Sequence, residues 1–256
     1  MTFPVYLNFF GHGLHPHLVF EAAGYLVGFQ LYRFTRGRFP RAGMRIEQTL
    51  VVLAGAIVGA LVGSKVLAVV ESFPQYWQSR ADMGVWFGGK TIVGGLLGGW
   101  AGVEVAKRVA GVRHSTGDAF VFPLIMGMAI GRVGCFLTGL SDHTYGVATN
   151  LAWGVDFGDG VRRHPTQLYD IVFLAVLAVA LLRWLRKAPA NGRLFRAFLL
   201  SYLLWRFCVE FIKPTWKPYL GMSGIQVASL AGAVVILTPI VKSAWFCEPQ
   251  VDLKVE

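Results

Sequence analysis

Three cations sit inside stretches of apolar residues: Lys65, Arg132 and Arg206. In hydrocarbon each costs about 3 kcal/mol or more, so each must reach a headgroup, meet a counter-ion or line water. The run SYLLWRFCVEFIK places Arg206 in company. Tyr202, Arg206, Glu210 and Lys213 recur at i, i+4, i+8 and i+11, which on a helix makes one polar stripe about 16 Å long. Arg206 and Glu210 can pair along it, and Lys213 at its end can draw an anion inward. Lys65 can snorkel to the interface, while Arg132 can anchor there or line a cavity. Glu21, an acid in a hydrophobic run, can act as a base or as partner of a buried arginine. Guanidinium groups bind phosphate bidentately and keep their protons. Arg132 and Arg206 are therefore candidates for holding a phosphodiester and for stabilising charge on a departing phosphate.

Cys135 follows Arg132 by three residues, and a neighbouring cation can activate a thiol; a small apolar filler is the simpler reading. Cys208 and Cys247 complete a set of three cysteines, which gives neither a disulfide framework nor paired metal-ligand spacing. No metal and no cofactor are expected. Gly55, Gly59 and Gly63 repeat every four residues, as do Gly94, Gly98 and Gly102, a spacing that lets helices approach closely in lipid. The run FGGKTIVGGLLGG is denser than packing needs, and Gly88 and Gly89 could interrupt the helix start at a cavity.

The elements that must position these residues follow from composition. The chain has 256 residues, 55% apolar and 15% charged, with 24 Lys and Arg against 14 Asp and Glu. A soluble nucleic-acid binder would carry its basic excess on a polar surface, so no nucleic-acid partner is expected. Apolar segments at 16–33, 46–70, 90–105, 117–138, 166–184, 197–213 and 222–241 each approach the length that crosses a bilayer, about 20 residues. The expected fold is an all-α integral membrane protein of about seven transmembrane helices, forming a single polytopic domain over residues 1–256.

Positive charge gives the orientation. Arg33, Arg36, Arg38, Arg41 and Arg45 lie in the first connection, Lys107, Arg108 and Arg113 in the third, and Arg183, Arg186, Lys187, Arg193 and Arg196 in the fifth. Lys242 and Lys254 follow the seventh segment, while the alternate connections hold only Arg80, Lys90, Arg162, Arg163, Lys213 and Lys217. This alternation implies an outside N-terminus and a cytoplasmic C-terminus. The first 32 residues lack Lys and Arg, so the first segment is expected to stay rather than be cleaved as a signal peptide.

The longest outer connection, 139–164, reads as a periplasmic loop insertion. It holds turn formers, a short strand pair around Trp153 and Val155, and an Asp159-Gly160 turn. Pro165 suits the first turn of the fifth helix, which puts His164, Gln167 and Tyr169 near the outer surface.

Two stretches in order, Gly131-Arg132-Val133-Gly134-Cys135-Phe136 and Arg163-His164-Pro165-Thr166-Gln167-Leu168-Tyr169-Asp170, resemble the prolipoprotein diacylglyceryl transferase family. Tyr25 to Phe29, Gly94 to Gly98, Tyr202 to Lys213 and Met222 to Ser229 agree, so the resemblance covers nearly the whole chain. It implies a seven-helix enzyme of the bacterial inner membrane. Such an enzyme moves diacylglyceryl from phosphatidylglycerol to the thiol of a lipobox cysteine in a prolipoprotein and releases glycerol phosphate. Arg132 matches the signature arginine, Arg206 the sixth-helix arginine, Tyr202 and Glu210 its neighbours, and Gly146 the glycine that closes the signature. Candidate substrate contacts are Tyr202, Gly131, Gly134, Gly94, Gly95, Gln167, Tyr169 and Lys213; Arg132, Arg206 and Glu210 are candidates for the chemistry through the resemblance, and Glu21 and His164 are candidate bases on residue type and position.

The chain differs from the family at several of these positions. Cys135 stands for an asparagine, Leu137 or Thr138 for a further asparagine, Leu140 for a glutamate, Glu21 for a first-helix tyrosine, and Val93 for the histidine before Gly-Gly-Leu. Valine carries no proton. The base must then be His164, His143 or Glu21, or the chain is an inactive relative that binds phospholipid or lipoprotein as an accessory factor. Buried Arg and Glu would also suit a small transporter, which the extent of the resemblance disfavours.

Overall fold

The computed structural model describes residues 3–9, 12–39, 44–79, 82 and 89–238. Arg41, Arg80, Gly88, Lys242, Cys247 and Lys254 lie outside the described residues. Helices dominate. They are α1 (Pro16–Thr35), α2 (Ile46–Glu71), α3 (Phe73–Gln78), α4 (Ile92–Val109), α5 (Val121–Thr138), α6 (Thr166–Leu185), α7 (Arg193–Val209) and α8 (Gly224–Leu237). Two small antiparallel hairpins accompany them, β1 (Leu7–Phe9) with β2 (His12–Leu14) and β3 (Val155–Asp156) with β4 (Arg162–Arg163). Among the described residues, three helical stretches are long and apolar enough to cross a membrane: Ile46–Glu71, Asp118–Asp142 and Thr166–Leu185.

Local chemistry explains the helix boundaries. Pro16 opens α1 at a position where its missing N–H costs nothing. At the start of α8, Ser223 Oγ accepts from Gln226 N (3.2 Å) and Ser223 N donates to Gln226 Oε1 (2.9 Å), a reciprocal cap. Helix α7 is capped by a residue distant in sequence. Asp118 accepts from Gly192 N at 2.6 Å and Phe195 N at 2.8 Å, which places a carboxylate against the positive end of the helix.

The described residues form two compact units, one within Met1–Pro40 and Gly117–Thr215, the other within Arg41–Thr116 and Trp216–Glu256. In the second unit α2 and α4 run antiparallel at very close approach. A Cβ on Gly55 would meet Gly102 O at 2.6 Å, one on Gly59 would fall on Gly98 O, and one on Gly63 on Gly94 O. The four-residue glycine repeats are therefore a backbone-to-backbone seam. Glu71, at the end of α2, accepts from Ile225 N at 2.8 Å and so ties α8 to this pair. Lys65 reaches Gly89 O at 3.1 Å.

In the first unit α1 packs on α5, α5 on α6, and α7 lies beside α6. Here too small residues permit contact: a Cβ on Gly24 would meet Gly127 O at 2.9 Å, and one on Gly28 would meet Pro123 O at 3.2 Å. The outward faces are apolar. Val172 and Val176 of α6, a helix long and apolar enough to cross a membrane, are more than 60% exposed.

The 139–164 connection folds onto the end of α7. Val147 N donates to Ile212 O at 2.8 Å and Gly146 N to His164 O at 2.8 Å. The strand pair expected near Trp153 and Val155 is the β3–β4 hairpin; Trp153 itself lies before it. Asp156 Oδ1 accepts from the amides of Gly158, Asp159 and Gly160, and the positive φ of Gly158 and Gly160 makes the tight turn possible. Pro165 precedes the first helical residue of α6 rather than occupying it. The β1–β2 hairpin ahead of α1 has no counterpart in the sequence reading.

Candidate functional site

Arg132 and Arg206 both bond to Asp170, a residue one turn into α6. Arg132 Nε lies 2.7 Å from Asp170 Oδ2, and Arg206 Nη1 lies 3.3 Å from the same oxygen. Arg206 Nη2 also pairs with Glu210 Oε2 at 2.9 Å, the i,i+4 contact expected along the polar stripe. Trp205 Nε1 donates to the other Asp170 oxygen at 2.7 Å, held there by a parallel stack on Phe173 with centroids 4.6 Å apart. All four charged side chains are buried, Glu210 completely. Arg132 is thus no interfacial anchor: its guanidinium turns inward because a carboxylate waits on the neighbouring helix.

Tyr202 and Lys213 join this cluster. Tyr202 is buried and interacts with both arginines, and Lys213, 6% exposed, interacts with Arg206, Glu210, Arg132 and Asp170. The stripe is not one continuous α-helix. Helix α7 ends at Val209, and Glu210 to Ile212 form a tighter 3-10 turn that delivers Lys213 to the group. With three cations against two carboxylates the group carries one net positive charge. One acceptor remains unused, because Glu210 Oε1 is buried without a hydrogen-bond partner among the described residues.

Gln167, in the first turn of α6, carries further unpaired polar atoms. It is fully buried, and neither its amide nitrogen nor its amide oxygen has a partner among the described residues. Burying such a group unpaired costs about 1–3 kcal/mol, which marks it as a contact for something polar.

His164 and Tyr169 build a different arrangement. Trp153 Nε1 donates to Tyr169 Oη at 2.9 Å, so the tyrosine hydroxyl proton is free to donate to His164 Nδ1 at 3.0 Å. Gly146 sits under this histidine, where a Cβ would meet His164 Cβ at 2.7 Å and Ile212 O at 2.9 Å. Arg162 and Arg163 direct their donors to the loop itself. Arg163 forks onto Asp159 at 2.6 and 2.7 Å, and Arg162 bonds the carbonyls of Leu151, Ala152 and Gly154. This fork holds the Asp159 carboxyl below the ordinary aspartate range.

Glu21 accepts from Tyr25 Oη at 3.1 Å and lies 3.6 Å from His17 Nε2, on α1. Gly134 packs against Phe20, where a Cβ would come within 2.7 Å, whereas a Cβ on Gly131 meets nothing within 4 Å. Gly94 and Gly95 belong to α4 in the second unit. Gly94 is part of the glycine seam, Gly95 has room for a methyl group, and Val93 beside them is buried. Asp170, which joins the two arginines, is the member of the cluster that the sequence did not single out. The signal was present: an acid one turn inside an apolar helix needs a buried cation.

The class of protein is thus a mostly helical one, with three helical stretches apolar and long enough to cross a membrane and a buried cluster of arginines, a lysine and carboxylates among its helices. The family model described as prolipoprotein diacylglyceryl transferase matches residues 4–245, and the chain belongs to that family. It is 32% identical over 198 residues to a phosphatidylglycerol--prolipoprotein diacylglyceryl transferase of Mannheimia succiniciproducens, covering 74% of this chain and 73% of that protein. Proteins of the same name from Nitratidesulfovibrio vulgaris and Geobacter sulfurreducens are each 33% identical. They cover 77% of this chain and 75% and 79% of their own lengths.

Proposed function

We propose that this protein transfers diacylglyceryl from phosphatidylglycerol to a cysteine thiol of a prolipoprotein signal peptide or a related acceptor. The observation that carries the reading is the buried Arg132–Asp170–Arg206–Glu210 network with Lys213, whose single net positive charge matches a monoanionic phosphodiester. Arg132 and Arg206 hold the phosphate through donors that Asp170 and Glu210 orient, and Lys213 and Tyr202 complete the contact. Gln167 meets the glycerol hydroxyls of the headgroup with its unpaired amide. In the transfer the acceptor sulfur forms a bond to the diacylglyceryl carbon, the carbon–oxygen bond to phosphate breaks, and the electron pair leaves on glycerol phosphate. The thiol gives its proton beforehand to a base, for which His164, His143 and Glu21 are the candidates.

We take the protein as one polytopic domain of the bacterial inner membrane with seven crossings, N-terminus outside and C-terminus cytoplasmic, and with 139–164 as an outer loop. The alternating basic connections support that orientation. Reporter fusions to successive connections test it.

A second reading has its own observation. Val93 is 1% exposed and offers no proton where the family has histidine, which suits an inactive relative that binds phospholipid or lipoprotein as an accessory factor. Purified protein given phosphatidylglycerol and a lipobox peptide decides between them. Release of glycerol phosphate that is lost in Arg206→Ala establishes the transferase; lipid binding without release establishes the accessory factor.

A further inference from the structure

Three side chains from separate segments converge next to Arg132. A ring nitrogen of His17, at the start of α1, Sγ of Cys135, in the last turn of α5, and a carboxylate oxygen of Asp142, in the turn that follows, all lie within 4.8 Å of one another. His17 Nδ1 is 3.0 Å from Asp142 Oδ1, yet the two are not aligned for a hydrogen bond, and Nδ1 is sealed from solvent. A nucleophilic relay would set thiol and carboxylate on opposite nitrogens of the ring. Here Asp142 lies on the Nδ1 side and the Cys135 thiol also reaches the His17 side chain, so the three donors gather around one point.

We propose that His17, Cys135 and Asp142 bind Zn2+, or another thiophilic divalent cation, through three ligands and leave a fourth position open. Nitrogen, sulfur and carboxylate oxygen are the donors of zinc, and three protein ligands with an open position are the arrangement of its catalytic sites. A thiolate ligand disfavours magnesium and calcium. Thiolate and carboxylate together neutralise a dication. Bonds of about 2.0–2.3 Å put tetrahedral donors about 3.5 Å apart, so the cluster closes onto an ion with movements of about 1 Å.

Each ligand also has the outer partner that metal sites use to orient their donors. Thr144 Oγ1 donates to Asp142 Oδ2 at 2.6 Å, Glu21 Oε2 faces His17 Nε2 at 3.6 Å, and Arg132 Nη1 lies 3.9 Å from Cys135 Sγ. The ligands come from three places in the sequence, so the contiguous spacing by which metal sites are read was absent.

The role of the open position rests on the transferase reading. It takes the acceptor thiol: on coordination the proton passes to water and the sulfur is held as a thiolate, the deprotonation that Val93 cannot provide. Arg132 spans both places, with Nε on Asp170 and Nη1 on Cys135, and so sets the bound sulfur beside the phosphate site.

The test uses the full chain purified in detergent without chelators. Metal analysis after equilibration with micromolar Zn2+ should find about one ion per chain, falling at least about fivefold in Cys135→Ser and in His17→Ala. The His17 side chain is 41% exposed, so its truncation threatens the fold little. Cobalt exchanged into the wild type should show a thiolate-to-metal charge-transfer band that Cys135→Ser lacks. Wild type that binds neither ion, or Cys135→Ser that binds as well as wild type, overturns the site. Transfer should fall at least about tenfold on stripping the metal and return with Zn2+. Full transfer by metal-free protein overturns the role of the open position and leaves the transferase reading standing. Bound metal with no transfer from phosphatidylglycerol keeps the site and overturns that reading.

Discussion

Helices α2 and α4 meet at three glycine pairs with no side chains between them, whereas α5, α6 and α7 meet through two guanidinium groups and two carboxylates. Lipid tails are as apolar as leucine, so in a membrane neither contact gains from the hydrophobic effect. The glycine seam gains dispersion by bringing backbones together, at the expense of any room for chemistry. The ionic contact does the reverse. It carries desolvated charge that packing alone would not need, and buried ion pairs are a poor device for stability. Their presence in one region beside a purely steric solution in the other argues that the charges are kept for what they bind.

The comparison can be broken most forcefully at Asp170. Asp170→Asn leaves two buried guanidinium groups short of a counter-charge and should cost about 3–5 kcal/mol, read as a lowered unfolding midpoint in detergent. Replacing the network together, as Arg132→Met, Asp170→Leu, Arg206→Met and Glu210→Leu, should recover most of that loss while abolishing glycerol phosphate release. If this variant is less stable than Asp170→Asn, the network is structural glue and the contrast with the seam fails.

On the other side, Gly59→Val drives a side chain into the Gly98 carbonyl and should cost about 1–3 kcal/mol in the same assay. Gly95→Ala has only ordinary contacts at 3.8 Å and should stay within about 0.5 kcal/mol of wild type. A stable Gly95→Ala protein that has lost transfer would move Gly95 from packing to substrate contact.

The smallest effect belongs to the exposed Asp159–Arg163 fork. The Asp159 carboxyl titrates lower in the folded hairpin than in the unfolded chain, chiefly because of its hydrogen bonds from Arg163. Its stabilisation is therefore present above the unfolded value and lost as pH falls from about 4 through the folded value. Hydrogen exchange across 155–163 should rise in that window, and Asp159→Asn should remove the pH dependence.

Much of this was legible in the chain itself. The four-residue glycine repeats announced a close crossing because small residues at that period have one main use in lipid, and the i,i+4 spacing of Arg206 and Glu210 announced their pair. What one helix's periodicity cannot reveal is which other helix answers it. Asp170 stands in the sequence as the end of a motif although it bonds both arginines, and nothing in the spacing of Gln167 shows that its amide is enclosed. His17 and Asp142 lie on either side of Cys135 only after α1 folds against α5. Arg162 and Arg163 count toward loop charge in the sequence, but the fold turns their donors onto Asp159 and the loop carbonyls.

Gly131 precedes Arg132, and a methyl group added to it touches nothing among the described residues. That makes it an address for a reporter. A fluorine-bearing side chain placed there would sit one residue from the guanidinium without displacing a neighbour, and its resonance would register arrival of a lipid headgroup turn by turn in the catalytic cycle, independently of any product being formed.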